Sequence, residues 1–118
     1  MFITILILTL FATAGISYAA SATINWTAPT KNEDGSPLTD LGGYQVFFGK
    51  ATGTYGNPID VGNVTTYTIT GLGEGIYFFA VKAYDTGKNL SKFSNEVNKP
   101  IILAPDAPTV TTVVIIIP

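Results

Sequence analysis

The chain has 118 residues, 47% hydrophobic and 12% charged, with six Lys against eight acidic residues, a formal net charge of -2, and neither Cys nor His. That length allows one hydrophobic core, and the absence of Arg with a surplus of acid removes the electrostatic footprint of nucleic-acid binding. Without thiolate or imidazole there are no disulfides and no zinc or haem ligation of the common kinds; most routes to nucleophilic or metal-ion catalysis go too, so no cofactor and no enzymatic activity are expected.

In chain order, Phe2 to Ile16 is almost wholly apolar, and no charged side chain appears before Lys31. The run has the length of a signal h-region and is short for a membrane span; small residues follow it at Ser17-Tyr18-Ala19 and Ala20-Ser21-Ala22. Residues 1–19 read as a signal peptide, with a second candidate cleavage after Ala22. Export to the periplasm, cell surface or medium is expected, with no stable membrane span unless the signal stays uncleaved.

From Ala22 the text changes to short β-branched and aromatic runs separated by Gly, Pro, Asn and Asp. This predicts an all-β domain over residues 20–100, with strands at Ala22 to Thr27, Gly43 to Gly49, Asn57 to Val61, Thr65 to Thr70, Ile76 to Asp85 and Ser94 to Lys99. Period-two alternation places one apolar face inward, with Ile24, Trp26, Tyr44, Val46, Phe48, Tyr67, Ile69, Tyr77, Phe79, Val81 and Ala83 as candidate core.

Trp26, the Gly43-Tyr44-Gln45-Val46-Phe47-Phe48 strand, and Leu72-Gly73-Glu74-Gly75-Ile76-Tyr77 leading into Phe79-Ala80-Val81-Lys82-Ala83-Tyr84-Asp85 resemble a fibronectin type III domain of bacterial exported proteins. The resemblance runs from about Ala22 to Lys99 and implies an immunoglobulin-like β-sandwich. It also implies that Trp26 packs at the sandwich centre, and that Tyr77 forms a tyrosine corner whose phenol bonds backbone near Leu72. The chain departs from the pattern at Lys88, where Gly is frequent, at Leu90, and in having no strand A before the Trp-bearing strand.

Glu33, Asp34, Asp40, Asp60 and Glu74 are scattered through turn-forming segments, which is not the arrangement of a catalytic carboxylate pair. Asp34, Asp40, Asp85 and Asn89 are loop oxygens without the spacing of a calcium loop, so no metal is expected. The outward positions of two neighbouring strands are more informative. Phe47, Phe78 and Tyr84, with Gln45 and Lys82, form a candidate face for a protein or polysaccharide partner.

After Pro100, residues 101–118 read as an extended tail. Val110, Val113, Val114, Ile115, Ile116 and Ile117 make an uncharged, β-branched run that is a candidate for strand addition, in cis or in trans. The prolines from Pro100 to Pro108 give a spacer of up to about 28 Å at 3.1 Å per residue. The expected role is a non-enzymatic exported module for adhesion, protein binding or carbohydrate binding. The alternative is a self-assembling surface subunit, a homo-oligomer completed by a neighbour's tail.

Overall fold

The computed structural model describes residues 20–114 and residue 116. The signal-peptide expectation at 1–19 and the tail positions Ile115 and Ile117 lie outside the described residues. Six strands form: β1 (Ala20–Asn25), β2 (Leu41–Gly49), β3 (Ile59–Gly62), β4 (Thr66–Leu72), β5 (Gly75–Asp85) and β6 (Val97–Ile101). They make two antiparallel sheets, a pair β1-β4 and a four-stranded sheet in the order β3-β2-β5-β6. All six expected strands are present, and the described residues contain no helix.

Alternation explains which side chains meet. In the β2–β5 ladder, Tyr44, Val46 and Phe48 lie opposite Ala83, Val81 and Phe79 on one face, while Gly43, Gln45 and Phe47 lie opposite Tyr84, Lys82 and Ala80 on the other. The first face joins the core. Ala22, Val46, Ile69, Leu72, Tyr77, Phe79 and Ile101 are its buried cluster, drawn from both sheets, with Ile24, Trp26, Phe48, Tyr67 and Val81 packed against it half-buried. Trp26, expected at the centre, sits at the margin instead: its ring meets buried Tyr44 edge-on at 5.3 Å, just past the end of β1. Tyr77 is buried between neighbouring rings of Phe48 and Phe79, with the Lys50 ammonium 5.5 Å above it. Among the described residues its phenol makes no hydrogen bond to backbone near Leu72.

The last strand differs most from expectation. Ser91 and Ser94 follow the edge of β5 without joining a regular ladder. Their N–H groups donate to the carbonyls of Ala83 and Val81 at 2.8 and 2.9 Å. Their hydroxyl oxygens accept from the N–H groups of Ala83 and Val81, each at 2.9 Å. Regular pairing therefore begins only at Val97 and continues through Pro100, which an edge strand tolerates, to Ile101. Ile101, assigned from sequence to the tail, is a core residue.

Candidate binding face

The outer face of the four-stranded sheet gathers an aromatic cluster from three places in the chain. Phe47 comes from β2, Tyr55 from the β2–β3 loop and Phe93 from the stretch between Ser91 and Ser94. The rings of Phe47 and Phe93 meet at 4.8 Å, nearly perpendicular, and Tyr55 lies 5.3 Å from Phe93 and 6.1 Å from Phe47. Lys82, opposite Gln45 on β5, brings its ammonium 4.2 Å from the Phe93 ring centre and 5.6 Å from that of Phe47. A cation at this distance adds about 0.5–1 kcal/mol per contact at an exposed site. Phe93 is 47% exposed, so the cluster presents apolar surface to solvent although its inner rings are packed.

Glu96 fixes the loop that carries Tyr55. One of its oxygens accepts from the Thr52 hydroxyl at 2.7 Å; the other accepts from the Gly53 N–H at 2.9 Å and from the Tyr55 hydroxyl. Those donors hold the Glu96 carboxyl below the usual carboxylate range, the Tyr55 hydroxyl contributing most. Burial, then the hydrogen bond to Glu96, pushes the Tyr55 phenol from 10.0 up to about 12. The lowered Glu96 value makes this contact fully stabilising above the ordinary carboxylate range, and the contribution is lost as pH falls through the lowered value. The raised Tyr55 value has the opposite sense: its stabilisation is present below pH 10 and is lost as pH rises towards 12. Glu96→Gln is therefore expected to bring Tyr55 titration down from about 12 but leave it above 10.0, since burial remains. Carbon-13 NMR of the tyrosine Cζ resonances against pH measures this; an unmoved titration would mean that Glu96 does not hold the ring.

The five residues expected on this face are divided by the structure. Phe47 and Lys82 belong to the cluster, and Gln45 lies beside them, cross-strand from Lys82. Phe78 is half-buried at the far end, opposite Gly49. Tyr84 is only 8% exposed: the phenol end of its ring fills the space where a Gly43 side chain would stand, its hydroxyl donates to Asp60 Oδ1 at 2.8 Å, and the Lys88 ammonium covers it at 4.5 Å. Tyr84 is thus a packed cover for the sheet and contributes no ring to the patch. Lys88 holds a left-handed φ of 65°, the conformation that favours Gly. Sequence reasoning missed Tyr55 and Phe93 because both lie outside strand alternation, and Glu96 because the last strand, expected from Ser94, begins only at Val97. The available signal was an aromatic set among Ser, Thr and Gly, at Thr54-Tyr55-Gly56 and Lys92-Phe93-Ser94.

Elsewhere, loop acids are engaged with their own turns. Asp34 accepts from the Ser36 hydroxyl and then from its N–H, and Asp85 accepts from the Asn89 side-chain amide and then from its N–H at 2.9 Å, so both carboxyls are held below their usual range. Among the described residues no three His, Cys, Asp or Glu side chains gather as a metal site, and no helix is long and apolar enough to cross a membrane.

A groove of about 360 Å³ lies beside the C-terminal end of β1, lined by Ile24 and, just past the strand, Trp26, and across from them by Phe79, Val81, Ser94 and Val97. A shallower cleft of about 190 Å³, also lined by Trp26, Val81 and Ser94, reaches Tyr44. The indole N–H of Trp26 and the hydroxyl of Tyr44 are both buried; burial raises the Tyr44 pKa, and the adjoining Trp26 indole offsets part of that rise.

No family model matches the chain, and no solved structure matches it. Among curated proteins, a Kelch domain-containing protein of Saccharolobus solfataricus is 38% identical over 74 residues, a match covering 59% of this chain and 9% of that protein. The chain thus spans less than a tenth of the length of this relative.

Proposed function

We propose that the chain is a non-catalytic, exported immunoglobulin-like module of the fibronectin type III kind, which docks a protein partner on the Phe47–Tyr55–Phe93 face. The observation that carries this reading is the half-exposed Phe93, propped on Phe47 and flanked by the Lys82 ammonium. Packed aromatic anchors with a cation beside them are what protein interfaces use as energetic centres. The two-sheet architecture with its shared core supports a sandwich, and a match confined to a small segment of a much larger protein is what a reusable module would give.

A protein segment fits this face better than a glycan. Sugar hydroxyls need free donors and acceptors, yet the Tyr55 hydroxyl and the Glu96 oxygens are committed to the loop. The ring arrangement also offers no flat platform, because Phe47 and Phe93 stand at 80° and Lys82 covers Phe93. The partner's complement is an apolar side chain set between the rings, with a carboxylate towards Lys82. Selection of displayed random peptides against the full chain tests this. Peptides rich in apolar and acidic residues are expected, with affinity falling at least about tenfold, or roughly 1.4 kcal/mol, on Phe93→Ser. Co-sedimentation with insoluble polysaccharide that Phe93→Ser abolishes, in the absence of any peptide enrichment, would replace the protein partner by a glycan.

A further inference from the structure

The open side of β1 carries a second surface, which meets the aromatic face only where Phe93 lines the cleft beside Trp26. Among the described residues β1 is bonded to β4 alone, so its other edge carries no described strand, and the groove beside it exposes the seam between the sheets to solvent. The seam holds apolar Ile24, Phe79, Val81 and Val97. An added strand would supply what is missing: backbone groups for the β1 edge and side chains for the groove.

We infer that this edge accepts the tail of a second copy of the chain, so that copies join by strand exchange. The tail has the required chemistry. Residues 107–116 are uncharged, and Val110, Val113, Val114 and Ile116 are 77–87% exposed, with no strand partner among the described residues. Its point of departure decides between cis and trans. β6 ends opposite Gly75, next to the end where β1 begins opposite Leu72. There the Leu103 N–H donates to Glu74 Oε1 at 3.1 Å, and the Leu103 side chain packs on the core, which fixes the exit. A tail returning along its own β1 would run parallel to it. To pair antiparallel in cis, residues 104–109 would first have to cover the whole strand, about 20 Å at 3.3 Å per residue, leaving none for the reversal. A second copy has no such constraint and permits the antiparallel ladder, the more stable pairing.

Because the chain contains no Cys, single introduced thiols report the contact. Copies carrying Ser21→Cys or Asn25→Cys on the exposed face of β1 are mixed with copies carrying Val113→Cys, then oxidised; circular dichroism melts confirm that each variant folds. The expected result is a disulfide-linked heterodimer whose yield rises with concentration. Val110→Asp/Val114→Asp/Ile116→Asp in the tail copy should abolish it. Two results would overturn the inference. One is intramolecular closure, at high dilution, of a single chain carrying both thiols. The other is absence of any cross-link from a chain that stays monomeric at every concentration, which would leave the edge to another occupant.

Discussion

Phe79→Ala is expected to cost about 3–5 kcal/mol of folding stability, the range for truncating a fully buried phenylalanine. Phe79 is 2% exposed, lies cross-strand from Phe48 on one side and Val97 on the other, and stacks within 6.4 Å of both Phe48 and Tyr77. It touches the groove beside β1 as well, so its removal opens the core towards solvent along the seam. A domain of about 80 residues has a total stability of roughly 4–12 kcal/mol, so the variant loses a large share of it. Urea unfolding followed by tryptophan fluorescence gives the number through Trp26. A loss below about 1 kcal/mol would be surface-like and would contradict the assignment of Phe79 to the core.

Gly49→Ala is expected to damage stability and the binding face together. A Cβ at Gly49 would collide with the carbonyl oxygen of Thr54 and come within 3.2 Å of the Tyr55 Cα, both backbone atoms that cannot swing aside. The loop is held down by the Gly56 N–H donating to the Phe48 carbonyl at 3.0 Å, and by the Thr54 N–H donating to the Ala51 carbonyl at 3.2 Å. Relief of the clash must therefore lift the loop. Overpacking of this kind costs about 1–3 kcal/mol, and here it also carries Tyr55 away from Glu96 and from the Phe47 and Phe93 rings. The variant should melt earlier, and its Tyr55 should titrate closer to the ordinary tyrosine range. A stable variant with Tyr55 still titrating at about 12 would show that the loop does not press on Gly49.

How much of this was legible in the sequence depends on whether a residue's role is set by alternation or by a loop. Val46, Tyr77 and Phe79 lie in long strands whose period of two gives their face directly, and all three are buried as expected. Tyr84 obeys the same alternation and does lie on the outer face, but burial there depends on a cross-strand neighbour. Gly43 has no side chain, so the Tyr84 ring collapses onto the backbone. That pairing is set by the β2–β5 register, which one sequence does not reveal. The Ser91 and Ser94 hydroxyls replace ladder groups along β5 and thereby turn Phe93 towards Phe47, a placement that no strand pattern encodes. Glu96 was invisible for the same reason, since its partners at Thr52, Gly53 and Tyr55 lie more than forty residues away.

The most direct test of the central claim, that the Phe47–Tyr55–Phe93 face is where this module binds, is to titrate the best selected peptide into isotope-labelled protein and map the amide shifts by NMR. The largest changes are expected at Phe47, Tyr55, Lys82 and Phe93, with Ala22 and Ile24 of β1 unmoved. Changes centred on β1, or on the loops around Asp34 and Asp85 with the aromatic cluster silent, would contradict it.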